Sequence, residues 1–260
     1  VMIAPDDAAL IHDGSEMRRK WLDAVISQYD RGYLEALIDV NKSLAQRNAL
    51  LRYFAENRTF DATMLSSWNA RMAPKAAKIA AARTTFMDDF LPGFLSTYEE
   101  ISGGAEAVSL SLKTHVVGDA AAIEEMMEQA QDDDRRLRRT TIGVHKDDVV
   151  FKLGEHALNK FGSQGQQKSF LVSLRLAQFA FIEQATGVKP VLLLDDIFDK
   201  IDEKRVEALM RRVTNGAFGQ VFITDTHLGR IPAMFEQTGA DVKVFEVKEG
   251  EVSPVESQGS

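Results

Sequence analysis

Cysteine is absent from all 260 residues. That excludes disulfides, thiolate metal sites and cysteine nucleophiles, and it fits a reducing, cytoplasmic location. Long apolar runs are missing too. The longest, "VLLLDDIF", is strand-sized and well short of the ~18 residues that mark a membrane span. The first residues carry no signal-peptide pattern. An excess of positive charge is also lacking, because the formal net charge is −8. A global basic field for nucleic acid is therefore excluded. DNA binding would need a local basic patch or a surface assembled from several subunits. What is present is 45% hydrophobic content, enough for one large core or two modest ones.

Periodicity divides the chain. Residues 1–14 begin with a strand-like "VMIAP" and then "PDD", where Pro5 fixes a turn. From Ser15, an expected N-cap, the pattern is helical, with Trp21, Leu22, Val25, Ile26 and Tyr29 on one face. Gly32 is expected to interrupt it. Leu34, Leu37, Ile38, Leu44, Leu51 and Phe54 continue a second helix. The stretch 61–102 is again helix-rich, with Pro74 and Pro92 expected at first-turn or kink positions. Residues 15–102 thus predict two or three long antiparallel helices, within an arm that extends to residue 135. Val108, Leu110 and Leu112 then alternate as a strand. "AAIEEMMEQAQDDDRRLRRTT" predicts an amphipathic helix ending in a charge run.

Over 136–252 the pattern changes. "TIGVHKDDVVFKLG" predicts a short strand, a turn and another strand. A long helix follows, then the strand "PVLLLDD", the helix "DEKRVEALMRRVTN" and the strand "GQVFITDT". A short helix near "LGRIPAMFEQ" and a terminal strand "DVKVFEVKEG" complete it, and 253–260 read as a tail. This alternation predicts an α/β fold with a mostly parallel sheet beside an inserted all-helical arm. "VLLLDD" and "QVFIT" are the unbroken apolar runs of strands covered on both faces.

Three places carry candidate chemistry, and two basic runs carry candidate binding. "VLLLDDIFDKID" ends a buried strand in two acids, where open α/β sheets hold their ligands. Asp195 suits Mg²⁺ and Asp196 suits a water-polarising role; both could equally be capping carboxylates. "FGSQGQQKS" is a small, polar turn feeding a helix. Its N-terminal N–H groups and dipole favour an anion, or it is an ordinary capped start with Ser163 as the cap. His227 follows "VFITDT" and would share the strand edge of Asp195, as a γ-phosphate contact or as a surface residue. The basic runs Arg18–Lys20 and Arg135–Arg139 offer phosphate contacts, or pair locally with nearby acids.

Taken in order, these motifs resemble the C-terminal half of an ABC-type ATPase head. "SQGQQKS" looks like the signature motif, "VLLLDD" the Walker B strand, "DKID" the D-loop and "THLG" the switch-histidine region. Within that superfamily the chain is similar to the RecF family. "VMIAPDDAALIHDGSEMRRKWLD", "YLEALIDVNKSLAQRNALLR", "GVHKDDVVF" and "FGSQGQQKSFLVSLRLAQ" carry the likeness, which runs over the whole chain and is weakest around 57–135. The resemblance implies an ATP-dependent protein of DNA recombination, replication-gap repair and the SOS response. It implies ATP and Mg²⁺ as cofactors, and Ser163, Gln164, Gly165 and Gln166 as ATP contacts acting in trans in a homodimer. It also implies Asp195 as the metal residue, Asp196 and His227 as catalytic residues, and Asp202 in the D-loop. Double-stranded DNA or a single-strand/double-strand junction would be the ligand, with Arg18, Arg19, Arg135, Arg136, Arg138 and Arg139 as candidate contacts. RecR and RecO would be partners.

One element departs from that family. The Gly-x-x-x-x-Gly-Lys-Ser/Thr loop that cradles β- and γ-phosphates is nowhere in the sequence. "GSQGQQKS" is the nearest mimic, one residue short and with Lys168 not preceded by glycine. The expectation is that the chain lacks an N-terminal lobe and is an incomplete ATPase by itself. Two other readings compete. One is a head of the RecN or SMC type, which would carry long coiled coils. The other is a helical protein-binding module with a relic site.

Overall fold

Capping residues set the helix boundaries in the first half. The computed structural model describes residues 1–104, 106–198, 202–226, 235 and 242–255. Strand β1 (Met2–Ile3) and a 3-10 turn at Pro5–Ala8 lead through the one-turn helix α1 (Ala9–His12) to α2 (Ser15–Tyr29). The cap of α2 is Gly14. Ser15 is one residue inside the helix, and its hydroxyl accepts from Arg19 at 2.6 Å. The break that follows lies at Asp30 rather than Gly32. Asp30 is extended, and its carboxylate accepts from the Tyr33 amide at 2.8 Å, which starts α3 (Arg31–Asn57).

Arg58, in the left-handed region at φ 52°, ends α3. Asp61 then caps α4 (Ala62–Ser102) through the amides of Thr63 and Met64. Pro74 and Pro92 both lie inside α4, not at a first turn. Each costs about 3 kcal/mol by removing an i−4 hydrogen bond. Burial of one face of α4 offsets that loss. Phe86, Phe90, Phe94 and Tyr98 recur every four residues along this face, and all are buried.

Strand β2 (Val108–Lys113) precedes α5 (Ala120–Gln129) and α6 (Gln131–Leu137). The charge run is thus a second short helix, separated from the first at Ala130. "TIGV" is not a strand. It turns at Gly143, φ 145°, into a 3-10 segment at Val144–Lys146. Then come β3 (Asp148–Leu153), β4 (His156–Ala157), α7 (Leu158–Phe161) and α8 (Gln164–Thr186). The chain continues with β5 (Leu192–Asp195), α9 (Glu203–Thr214), β6 (Val221–Thr224), β7 (Phe245–Lys248) and β8 (Glu251–Pro254). The helix expected near "LGRIPAMFEQ" lies outside the described residues except for Phe235.

The parallel sheet has the order β1-β5-β6, with Met2 opposite Leu193 and Asp195 opposite Thr224. β2, β3 and β4 form a separate antiparallel sheet, and β7 pairs with β8 as a hairpin. The apolar runs of β5 and β6 predict cover on both faces. Leu192 and Leu194 are indeed buried. Leu193 is 38% exposed and Phe222 51%, so among the described residues only one face is covered.

Helix α8 joins the two hydrophobic cores. One side sends Phe170, Leu171, Leu174 and Ala177 into a core built on α2, α3 and α4. The other sends Val172, Leu176 and Phe179 into a core with Ile3, Leu192, Leu194, Leu209 and Val213. A helix that is apolar all round must be enclosed. Phe170 contacts Phe94 and Phe151 with ring centroids 4.9 Å apart in each case. Phe86 stacks on Phe90 at 5.0 Å and meets Phe181 edge-on at 5.0 Å. Such pairs contribute about 0.5–1.5 kcal/mol each beyond area burial.

Two buried arginines tie the helices to the segment before β3. Arg47, with no exposed side-chain surface, donates to Asp134 at 2.6 Å, Thr140 at 2.9 Å and Asn69 at 2.8 Å. Arg83 donates to Asp147 at 2.6 Å, Asp23 at 2.7 Å, the Tyr33 hydroxyl at 3.0 Å and the Val144 carbonyl at 2.7 Å. Burial pushes the Tyr33 phenol far above its ordinary range, and the neighbouring Asp23 carboxylate adds to that effect against the opposing Arg83 charge.

Candidate functional site

Helix α8 begins with a reciprocal cap. The Ser163 hydroxyl accepts from the Gln166 amide at 3.3 Å, and the Gln166 side-chain oxygen accepts from the Ser163 amide at 2.7 Å. This S-x-x-Q box satisfies two of the orphan donors at the helix start. Ser163 and Gln164 are exposed, and Gly165 and Gln166 half-buried. A 23-residue helix therefore presents its positive end to solvent, where an anion is favoured. Gly162 serves packing. A Cβ there would lie 2.8 Å from the Leu158 carbonyl oxygen, which is backbone and cannot give way.

The acid pair sits at the carboxyl end of β5. Asp195 accepts from the Thr224 hydroxyl at 2.5 Å across the parallel ladder. Its neighbour Asp196 turns into the left-handed region at φ 48°. Asp and Asn tolerate that conformation better than other residues bearing a Cβ. The Asp196 amide donates to the Thr224 carbonyl at 3.3 Å, and its own carbonyl accepts from Lys168 Nζ at 3.2 Å. Lys168 thereby connects the first turns of α8 to the acid pair. Asp195 is half-buried and offers hard oxygen ligands at a strand end. One such carboxylate suits Mg²⁺, which keeps several waters and takes its other ligands from substrate phosphates.

Behind the turn lies a polar cluster that sequence reasoning missed. Glu106 accepts from the Tyr98 hydroxyl at 2.5 Å, Gln166 Nε2 at 3.1 Å and Arg205 at 2.8 Å. Burial opposes the Glu106 charge. The bonds from Tyr98, Gln166 and Arg205 outweigh it and hold the carboxyl below its ordinary range. The Tyr98 phenol is pushed up by burial and by Glu106. Arg205 commits its whole fork. Nε pairs with Asp202 at 2.9 Å, and one terminal nitrogen donates to Ser169 Oγ at 2.7 Å and to the Gly165 carbonyl at 3.3 Å. Asp202 caps α9 through the Arg205 amide at 3.1 Å. Only the hydroxyl at the end of "VFIT" could have pointed to Thr224. Glu106 stands alone in "GGAEAV" and gives no local signal.

The other candidates divide. Arg18 is fully engaged with Asp148 at 2.8 and 3.1 Å and with the carbonyls of Leu10 and Asp13. Arg19 donates to Ser15 and to the Asp147 carbonyl at 2.8 Å. Of that run only Lys20 pairs with a nearby acid, Glu16 at 2.8 Å, while Arg18 and Arg19 are held by the segment around Asp147 and Asp148. Arg135 pairs with Asp132 at 3.4 Å and lies 3.9 Å over the Phe60 ring, while Arg136 pairs with Asp133 at 2.6 Å. Arg138 and Arg139 are exposed. His227 lies outside the described residues, as do Asp199, Lys200 and Ile201 of "DKID". Among the described residues no cluster of three or more His, Asp or Glu side chains could hold a metal, and no helix is long and apolar enough to cross a membrane.

Comparison with known proteins is consistent along the chain. The DNA replication and repair protein RecF of Flavobacterium johnsoniae is 45% identical over 245 residues, covering 94% of this chain and 68% of the relative. RecF of Bacteroides thetaiotaomicron is 41% identical over 253 residues, covering 97% and 67%. RecF of Porphyromonas gingivalis (strain ATCC 33277) is 40% identical over 252 residues, covering 97% and 68%. A solved structure of the recombination mediator protein RecF-ATPrS in the RecFOR pathway superposes with a TM-score of 0.80 at 25% identity, covering 98% of this chain and 67% of that one. No family model matches the chain.

Proposed function

Since this chain belongs to the RecF family of DNA replication and repair proteins, we propose that it supplies the half of an ATP site that closes on a nucleotide held by a second copy. The observation that carries this reading is the bond from Lys168 to the Asp196 carbonyl at 3.2 Å. It brings the first turns of α8 and the acid pair of β5 side by side. The relatives' family name and the solved RecF-ATPrS structure support a DNA-repair ATPase role.

In this reading Ser163, Gln164, Gly165 and Gln166 receive the γ-phosphate in trans. Asp195 holds Mg²⁺, and Asp196 orients the attacking water. Asp202 belongs to the D-loop, and His227 contacts the γ-phosphate. The sequence holds no phosphate-cradling loop, so the reading requires one from another segment. Catalysis is then mostly positioning and electrostatic stabilisation of the transferred group. Binding ATP at the subunit boundary stabilises the dimer, and hydrolysis releases it. Residues 15–135 act as an arm beside the ATPase lobe of residues 136–252. DNA, duplex or junction, lies across the dimer and touches phosphates through Arg138 and Arg139, with Arg135 and Arg136 nearby. Arg18 and Arg19 are left out, since their donors are engaged internally. RecR and RecO are the family's expected partners.

The test is mass in solution, with and without ATP, for this chain joined to a phosphate-loop segment from a curated relative. Asp196→Asn slows hydrolysis and keeps the left-handed backbone. ATP should convert monomer to dimer, Ser163→Arg should abolish the conversion, and DNA binding should appear only in the dimer. A protein that stays monomeric at saturating ATP overturns the reading.

A further inference from the structure

The cluster behind α8 joins three parts of the chain that are remote in sequence. Glu106 lies just before β2, Gln166 in the first turn of α8, and Arg205 in the first turn of α9. Glu106 and Arg205 are 99 residues apart and only 2.8 Å from contact atom to contact atom. The Gln166 amide has one orientation that serves both its neighbours. Its oxygen accepts from the Ser163 amide, so its nitrogen faces Glu106. A carboxylate accepts only, and its charge selects that orientation. Arg205 grips the same turn from the other side, at the Gly165 carbonyl and Ser169, while its Nε holds Asp202.

We propose that Glu106 and Arg205 are positioning residues that fix the exposed Ser163–Gln166 turn and the Asp202 loop as one rigid unit, so that the turn meets a phosphate in a preset geometry. The proposal rests on the ATP-site reading above and deepens it. Neither side chain reaches the phosphate. Glu106 acts through Gln166, and Arg205 acts through the Gly165 carbonyl and Asp202. Glu106 also accepts from Tyr98 at the end of α4. The position of the long helix and the shape of the turn are therefore set by the same carboxylate.

The test has two readouts. The first is amide hydrogen exchange at Ser163 in the chain itself. Glu106→Gln and Arg205→Gln should each speed it about tenfold, the scale of a broken N-cap bond. The double variant should be no worse than the more affected single, because both act through one unit. The second is ATP turnover of the chain joined to the relative's phosphate-loop segment. Each variant should lose about tenfold to 100-fold, as small misplacements of a reacting group do, with nucleotide affinity little changed and turnover read at a temperature where each variant remains folded. Arg205→Lys, which keeps the charge and loses the fork, should also fail to restore turnover.

Unchanged exchange at Ser163 in both single variants overturns the proposal. So does normal turnover in Glu106→Gln when Ser163→Arg is inactive. Additive effects in the double variant overturn the claim of one unit. If the unsubstituted protein ignores ATP, the ATP-site reading falls, and the exchange readout alone still judges whether these residues hold the turn.

Discussion

Arg47 and Arg83 stand alone in long helices, whereas Arg135, Arg136, Arg138 and Arg139 come as a run. The run draws attention in the sequence, but its members are exposed and pair, where they pair, with acids three residues away. The two lone arginines have at most 1% of their side-chain surface exposed and bind carboxylates 64 and 87 residues distant. Charge density alone does not decide burial, since Asp134, adjoining that run, is itself buried as the partner of Arg47; a fixed partner does. The physical reason is desolvation. A charge can be buried only where its partners are fixed in place, and a run of like charges cannot all find such partners inside.

The comparison breaks most sharply at Arg83. Arg83→Ala leaves Asp147 buried and without its cation, and should cost about 3–5 kcal/mol in urea unfolding, as removal of one partner from a buried pair does. A loss no larger than that of a surface substitution would erase the contrast. His145, in the same segment, should show the next effect. Its pKa is lowered to about 4, by burial first and then by Lys146 and Arg19, against the Thr140 carbonyl bond and Asp134, which favour its charge. The unfolded chain takes up the proton near pH 6.5, before the folded one does. Stability is therefore full above that pH and falls as the pH drops from 6.5 toward 4, by up to about 3 kcal/mol. His145→Asn should remove that part of the slope, seen as the difference between the two proteins' urea midpoints across pH.

The smallest effect on stability belongs to the run. Arg138→Ala with Arg139→Ala should change stability by less than about 0.5 kcal/mol per residue. In the ATP-bound dimer the same pair should lower the salt slope of DNA binding by roughly 0.9 for each phosphate no longer neutralised. Arg18→Ala should do the opposite, costing stability through Asp148 and leaving that slope alone. If Arg18→Ala moves the slope instead, the division between buried anchors and DNA-facing residues is wrong.

How legible each feature was follows from the range of the interactions that make it. The start of α8 could be read at Ser163 and Gln166 because a capping box is complete within four residues. The strands "LLLD" and "VFIT" were legible from their apolar runs, and Asp195 and Asp196 from their place at the end of one. Local rules misjudged Ser15 by one position and put the break at Gly32, because the Asp30 side chain, not glycine, ends one helix and starts the next. They left Pro74 and Pro92 open between a first turn and a kink position, and both lie inside α4, where packing of a whole face offsets the local cost. They predicted covered strands where Leu193 and Phe222 are open, since a pattern of side chains does not say what lies above them. Glu106, Arg205 and Thr224 were out of reach because their partners are set by tertiary contact. His227 lies outside the described residues.

Helix α8 has a mechanical consequence. At 1.5 Å per residue its 23 residues make a rod of about 35 Å. From Ser169 to Phe179 both of its sides are embedded, so that stretch has no bare flank on which to slide or roll. A push at Gln164 cannot be absorbed by a local slip along the shaft. It must be carried as a rigid displacement, shared at once by the aromatic ladder of α4 on one side and by the parallel sheet on the other.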